Sequence, residues 1–327
     1  MSSRGSSSVL IDPELVGDWA GPDLVVFVGR ATAGSGVHAA FPVWARALEL
    51  GNVVLRGVDV PPDVQPVAWR ELLAEMRDNP RVRGAVVTDH KLRLFRACAD
   101  LLDEREPTVD LMSEINSLRF EDGRVSAFAR DVLALASVLG RAPLPAAPPA
   151  VVCLGAGGAA TALLLATTLD VPATTAAGRP VPAAGPAALT FVDRDPAALA
   201  ALETVVERLP VDPAAVRTVT GSTPEVGAEV VATAPAGTLV VNATGLGKLG
   251  PGSPLVDGAT FPPDAVAWDF NYRGPLTFLA QARAAGVPAV DGRDYFLAGW
   301  ACALAGVFGL DPAWALERLR ATEPPAA

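Results

Sequence analysis

Residues 151–160 read VVCLGAGGAA, and this stretch decides the fold. Its apolar start reads as the end of a buried strand, and Gly155, Gly157 and Gly158 then permit a tight turn with close backbone approach. Ala160 closes a GxGxxA pattern, and the Ala/Leu-rich run 159–168 continues as a helix. The turn N–H groups over Gly155, Ala156, Gly157, Gly158 and Ala159, together with the helix dipole, suit an anionic group such as a pyrophosphate. A Gly-rich turn before an Ala-rich helix also occurs in packed α/β proteins without any ligand.

Working outward, 188–193 (ALTFVD) reads as the second strand of this half, delayed by a Pro/Ala/Gly segment, 171–186, taken as an inserted surface loop. Further strands are expected at 216–220, 239–242, 266–270 and 287–290, the last interrupted by Pro288. Strands alternating with helices describe a doubly wound parallel sheet of Rossmann type. Upstream, RAPLPAAPPA at 141–150 is the clearest interdomain linker. Before it lie strands at 24–28, 53–58 and 83–87, helices at 38–50 and 66–79, and a helix through about residue 102. INSLRF-EDGR-VSAFA then reads as a hairpin that delivers Asp131 to a new helix running to about Gly140. After 293 the chain has no strand pattern and forms two helices that return to the first domain. The expected division is a substrate domain 1–140, a linker 141–150, a dinucleotide domain 151–292 and C-terminal helices 293–327.

The 327 residues are 50% hydrophobic and 19% charged, which suits two domains with sizeable cores. A net charge of -10 without a basic cluster argues against a nucleic-acid face. Cys98, Cys153 and Cys302 stand far apart among apolar residues, as reduced core thiols do. No spacing of His38, His90, cysteines and carboxylates resembles a metal site. The MSSRGSSS start lacks a signal-peptide core and no apolar span is long enough for a membrane, so a cytoplasmic protein with a frayed N-terminus is expected.

Candidate chemistry gathers at strand ends. Thr88, Asp89, His90 and Lys91 follow the third strand, and Lys91 reads either as a general acid/base or as a solvated lysine at a helix start. Asp131 reads as its partner or as a simple N-cap. Asn116, in a hairpin strand, signals a polar pocket or an exposed edge. Asp193 ends the second strand of the dinucleotide half, where an acid accepts hydrogen bonds from ribose hydroxyls, and Arg194 follows it. VNATG, with Asn242, Thr244 and Gly245, offers a bed for a nicotinamide or an ordinary strand-end turn. Tyr272 ends the fifth strand and reads as a site or packing residue.

Taken in order, these pieces resemble the shikimate and quinate dehydrogenase family over about residues 24–304. The family's NVTxPHK lysine falls on Lys91 with His90 kept, its AVNT asparagine on Asn116, and the aspartate of its GxNTD on Asp131. GAGGAA matches outright, VNATGLGK is similar, and Tyr272, Thr277 and Leu279 fit YxPxxTxL except that Gly274 stands where the family has proline. The resemblance implies that Lys91 and Asp131 are the catalytic pair and that Ser35, Thr88, Asn116, Tyr272 and Trp300 surround a small cyclic hydroxy acid. It implies hydride transfer with a nicotinamide cofactor bound across a cleft between domains, and no metal. The chain departs from the pattern at Val37 in place of the second serine of Ser-x-Ser, at Ala85 in place of an asparagine, at AFARD, and at Gly299 in place of a glutamine. The substrate code therefore reads as rewritten, with Arg130, Tyr295 and Trp300 lining a different pocket or serving only as packing.

Charge argues for the cofactor form. Asp193-Arg194-Asp195 stands where NADP-using relatives carry NRT, and an acid repels a 2′-phosphate, so NAD is expected with NADP possible through Arg194. Two further readings stay open: a dinucleotide-binding paralogue without turnover, and a methylenetetrahydrofolate-type dehydrogenase. A monomer or homodimer acting on a small molecule is expected.

Overall fold

The computed structural model describes residues 21–322 apart from 62, 173–182 and 249. The expected frayed start and most of the expected inserted loop at 171–186 lie outside the described residues. By its internal contacts the chain divides into two compact units: the residues up to Arg130 together with those from Trp300 onward, and Asp131–Gly299.

In the first unit the elements run β1 (Asp23–Gly29), α1 (Val37–Ala47), β2 (Val53–Asp59), α2 (Pro66–Asp78), β3 (Val82–Val87), α3 (Lys91–Cys98), β4 (Glu104–Arg105), α4 (Pro107–Met112), β5 (Ser117–Glu121) and β6 (Arg124–Phe128). The strands join in the order β2-β1-β3-β5-β6-β4. All are parallel except β5, which runs antiparallel to both β3 and β6, so this sheet is mixed. β1 is a continuous apolar run buried on both faces, as a central parallel strand requires. α2 begins on Pro66 and buries Ala68, Trp69, Leu72, Leu73 and Met76 at helical spacing. The β5–β6 turn is tight because Asp122 and Gly123 both take positive φ, 51° and 74°.

The second unit holds α5 (Asp131–Val138), β7 (Ala150–Leu154), α6 (Gly158–Thr168), β8 (Ala188–Asp193), α7 (Pro196–Val206), β9 (Val216–Thr220), α8 (Pro224–Ala232), β10 (Leu239–Asn242), β11 (Val266–Asp269), α9 (Thr277–Ala284) and β12 (Ala289–Val290). Its strands, all parallel, join as β12-β11-β10-β7-β8-β9. Because β7 lies between β8 and β10, the winding reverses there, and the C-terminal ends of β7 and β10 flank the switch point where such sheets bind ligands. α7 is capped by Asp195, whose carboxylate accepts from Ala197 N–H at 2.9 Å.

Helix α10 (Arg293–Phe308) leads from this unit into the last helix, α11 (Pro312–Arg320). From Trp300 onward the chain belongs with the first unit. Val307 packs where a Cβ on Gly84 would stand, and Gly306 faces Phe128. Arg318 donates to the Ala47 carbonyl at 2.8 Å and pairs with Glu49. The expected class is what the structure has: a mixed α/β unit, a Rossmann-type parallel unit, and last helices returning to the first. No helix of the described residues is long and apolar enough to cross a membrane.

Candidate active site

In the first unit, the parallel direction of β3 and β6 and the opposed direction of β5 bring the end of β3, the start of β5 and the end of β6 to one sheet edge. Asn116 is the hinge of that edge. It lies just before β5 rather than within it; its N–H donates to the Phe128 carbonyl at 2.8 Å and its carbonyl accepts from Val87 N–H at 2.8 Å. Its side-chain oxygen accepts from the Ser117 hydroxyl at 3.1 Å. Asn116 is buried, at 4% exposure. The neighbouring Ile115 N–H donates to the Lys91 carbonyl at 3.2 Å, which ties the start of α3 to the same edge. Lys91 itself is half-buried.

The corner that carries Lys91 is set by its neighbour. His90 is fully buried, with Nε2 2.7 Å from the Val60 carbonyl and its ring 5.1 Å from that of Trp69. Burial pushes its pKa below the ordinary histidine value. A neutral ring donating from Nε2 and accepting from Arg93 at Nδ1, 3.5 Å away, satisfies both nitrogens. Thr88 N–H donates to the Val28 carbonyl at 3.0 Å.

Ser35 sits in the loop after β1. Asp59 holds that loop by accepting from both the N–H and the hydroxyl of Thr32, each at 2.6 Å, and His38 Nε2 lies 3.0 Å from the Thr32 carbonyl. The Ser35 hydroxyl accepts from Val37 N–H at 3.4 Å, while Val37 itself is buried at 1% exposure. Trp300 is buried at 6% exposure, 5.2 Å from Phe27 and 5.7 Å from Trp44 between ring centroids. Arg130 pairs with Glu106 at 3.0 Å and lies over the Phe128 ring at 4.5 Å.

In the second unit the Gly-rich turn has the geometry its sequence demands. Gly155 adopts φ +114°, and a Cβ there would meet the Ala243 carbonyl at 2.8 Å, so glycine is required twice over. Gly155 N–H donates to the Val192 carbonyl at 2.7 Å. Ala156 N–H donates to Asp193 Oδ2 at 2.7 Å, and Asp193 Oδ1 accepts from Asp195 N–H at 2.9 Å. The acid expected to meet a ribose thus also clamps the Gly turn to the turn after β8. Gly157, Gly158 and Ala159 open α6, and the N–H groups of a helix's first turn have no intrahelical partner. A cavity of about 490 Å3 lies against Gly157 and runs past Asp193, Arg194 and Asp195 to Thr223, Ala243, Thr244 and Leu246. A glycine cradle, a row of helix N–H groups and a cavity of this size at the switch point fit a dinucleotide.

The far wall of this cavity is the loop after β10. Asn242 is fully buried; its Oδ1 accepts from the N–H and hydroxyl of Thr244 at 3.1 and 2.7 Å. Gly245 takes φ +75°. Asp131 opens α5 and is buried at 8% exposure. Tyr272 is half-buried and stacked on Phe296, ring centroids 4.3 Å apart, and burial raises its pKa. Tyr295 lies 4.8 Å from Phe270 between ring centroids. Sequence reasoning passes over Asp269 and Asn271, although two polar residues closing the apolar run VAWDFN signal a buried polar network.

The fold and the site define a two-unit α/β protein whose second unit has the doubly wound, Gly-turn architecture of dinucleotide-binding domains. No protein-family model matches the chain. It is 31% identical over 211 residues to the shikimate dehydrogenase (NADP(+)) of Citrifermentans bemidjiense, a match spanning 64% of each chain. It superposes on shikimate 5-dehydrogenase from Thermus thermophilus, a structure in complex with NADP(H) and shikimate, with TM-score 0.66 and 26% identity over 91% of this chain and 99% of that one. Quinate dehydrogenase from Corynebacterium glutamicum, in complex with NAD, shares the fold with TM-score 0.64 and 21% identity over 92% and 99%. In these comparisons the chain is similar to the shikimate/quinate dehydrogenase family, at 21–31% identity.

Proposed function

We propose that the protein is an NAD(P)-dependent oxidoreductase of shikimate/quinate dehydrogenase type, acting between a secondary alcohol and a ketone on a small cyclic hydroxy acid. The observation that carries this reading is the shared edge in the first unit, where Lys91, Asn116 and the residues leading to Asp131 are tied together through main-chain hydrogen bonds. Lys91 takes or gives the hydroxyl proton at Nζ. Asp131 tunes that lysine and binds a neighbouring hydroxyl, while Ser35, Thr88, Asn116 and Tyr272 orient the ring. When bound, the nicotinamide cofactor accepts or donates the hydride. The N–H groups of Gly157, Gly158 and Ala159 would hold its pyrophosphate, and the loop of Asn242, Thr244 and Gly245 its nicotinamide end.

The substrate differs from the family's usual one in how its carboxylate is gripped. Val37 is buried and offers no hydroxyl where the family has its second serine, and Ala85 is fully buried in β3. NAD is the proposed cofactor, because the fixed carboxylate of Asp193 disfavours a 2′-phosphate.

A panel of cyclic hydroxy acids, read by nicotinamide absorbance with NAD and with NADP, tests the reading. On a substrate found this way, Lys91→Ala is expected to lower kcat by roughly a hundredfold to ten-thousandfold with dinucleotide affinity unchanged. Undiminished turnover in that variant rules the assignment out.

A further inference from the structure

Asp269, at the end of β11, is a buried carboxylate that the reaction just described does not use. It is fully buried, at 0% exposure. Oδ1 accepts from Asn271 N–H at 2.9 Å and from Asn242 Nδ2 at 3.2 Å. Oδ2 is buried with no hydrogen-bond partner among the described residues. The two asparagines that Asp269 orients then converge on one acceptor: Asn242 Nδ2 and Asn271 Nδ2 donate to the Leu246 carbonyl at 3.3 and 3.0 Å. Leu246, with Ala243 and Thr244, lines the cavity that runs past Gly157 and Asp193.

We propose that Asp269 is a positioning residue for the dinucleotide cavity: by orienting Asn242 and Asn271 it fixes the Leu246 carbonyl and so the wall formed by Ala243, Thr244 and Leu246. The inference rests on the reading of that cavity as the cofactor site. A charged acceptor holds N–H donors more strongly than a neutral one, so the wall is firmest when Asp269 is ionised. Burial, with the charge of Asp291 beyond β12 adding to it, pushes Asp269 up to about 6, against the lowering hydrogen bonds of Asn271 and Asn242. From the flanking strand β10 comes the neutral Asn242, and α9 turns Phe278, Leu279 and Ala282 inward. The clamp therefore weakens as pH falls through about 6.

Asp269→Asn keeps the shape and an acceptor oxygen but removes the charge. Fluorescence titration with NADH and with NADPH at about pH 7.5 and about pH 5 is expected to show wild-type affinity falling roughly fivefold to tenfold at the lower pH. D269N is expected to bind at both pH values as the wild type does at the lower one. Amide exchange over 243–247 should quicken in D269N at the higher pH while 151–154 stays protected. Wild-type affinity, pH profile and exchange in D269N overturn the inference. A wild type that binds neither dinucleotide overturns the cofactor reading instead, and exchange over 243–247 then decides whether Asp269 holds the loop. Asn271→Ala, which leaves Asp269 intact, removes one of the two donors to Leu246 and is expected to loosen the same segment. Unchanged exchange there overturns the inference even where D269N does not fold.

Discussion

Asp193 shows how one carboxylate serves two structural partners at once. Oδ2 holds the Gly turn through Ala156 N–H and Oδ1 holds the next turn through Asp195 N–H. Its negative charge is consequently fixed in place beside the cavity. Asp193→Asn keeps one acceptor and deletes the charge, so the ratio of NADPH to NADH affinity is expected to rise roughly tenfold, with part of the gain offset by a looser Gly turn. Parallel titrations of wild type and variant check this; an unmoved ratio shows that the charge does not set the choice. At this scale the sequence announces that an acid ends β8 but not which N–H groups it takes, because those depend on how two turns approach each other. Asp269 was harder to read for the same reason. Its partners, Asn242 and Asn271, acquire meaning only once β10 and β11 lie side by side in register.

At the scale of elements, long runs with a clear period were legible and short ones were not. β1, β7 and α2 follow from apolar runs and helical spacing. β4 and α4, of two and six residues, fall below the length at which any period can be read. Asn116 illustrates the boundary case: alternation places it in a strand, and its main chain does bond Val87 and Phe128, but the regular register of β5 begins one residue later, at Ser117. The β3–α3 corner depends on His90 clamped to Val60 and packed on Trp69. His90→Ala is expected to cost about 1–3 kcal/mol through the lost hydrogen bond and packing. Because folding lowers the pKa of His90, the unfolded chain takes up a proton that the folded one refuses, and stability falls as pH drops below about 6.5. Denaturant midpoints across that range should fall for the wild type and fall less for H90A; parallel curves would show that His90 does not titrate in the linkage.

For the whole molecule, the decisive feature is that the second unit interrupts the first along the chain. The residues up to Arg130 find part of their packing only in the residues from Trp300 onward, while Asp131–Gly299 contains all of its own strands. Periodicity reveals the strands of the two sheets and the last helices, but it carries no information about where those helices pack or the order in which a nascent chain can complete the units. A ribosome releases the chain from its N-terminus, and domains usually fold in that order. Here that order is expected to reverse, because Val307, Gly306 and Arg318, which cover Gly84, Phe128 and the end of α1, are translated last. A chain stopped after Gly299 is therefore expected to keep cooperative unfolding and exchange protection over β7–β10 while β1–β3 exchange freely; protection of β1–β3 in that fragment would show that the first unit closes alone. A first half left incomplete in this way would expose apolar faces during synthesis, so chaperone dependence in the cell is expected to fall on the segment translated first.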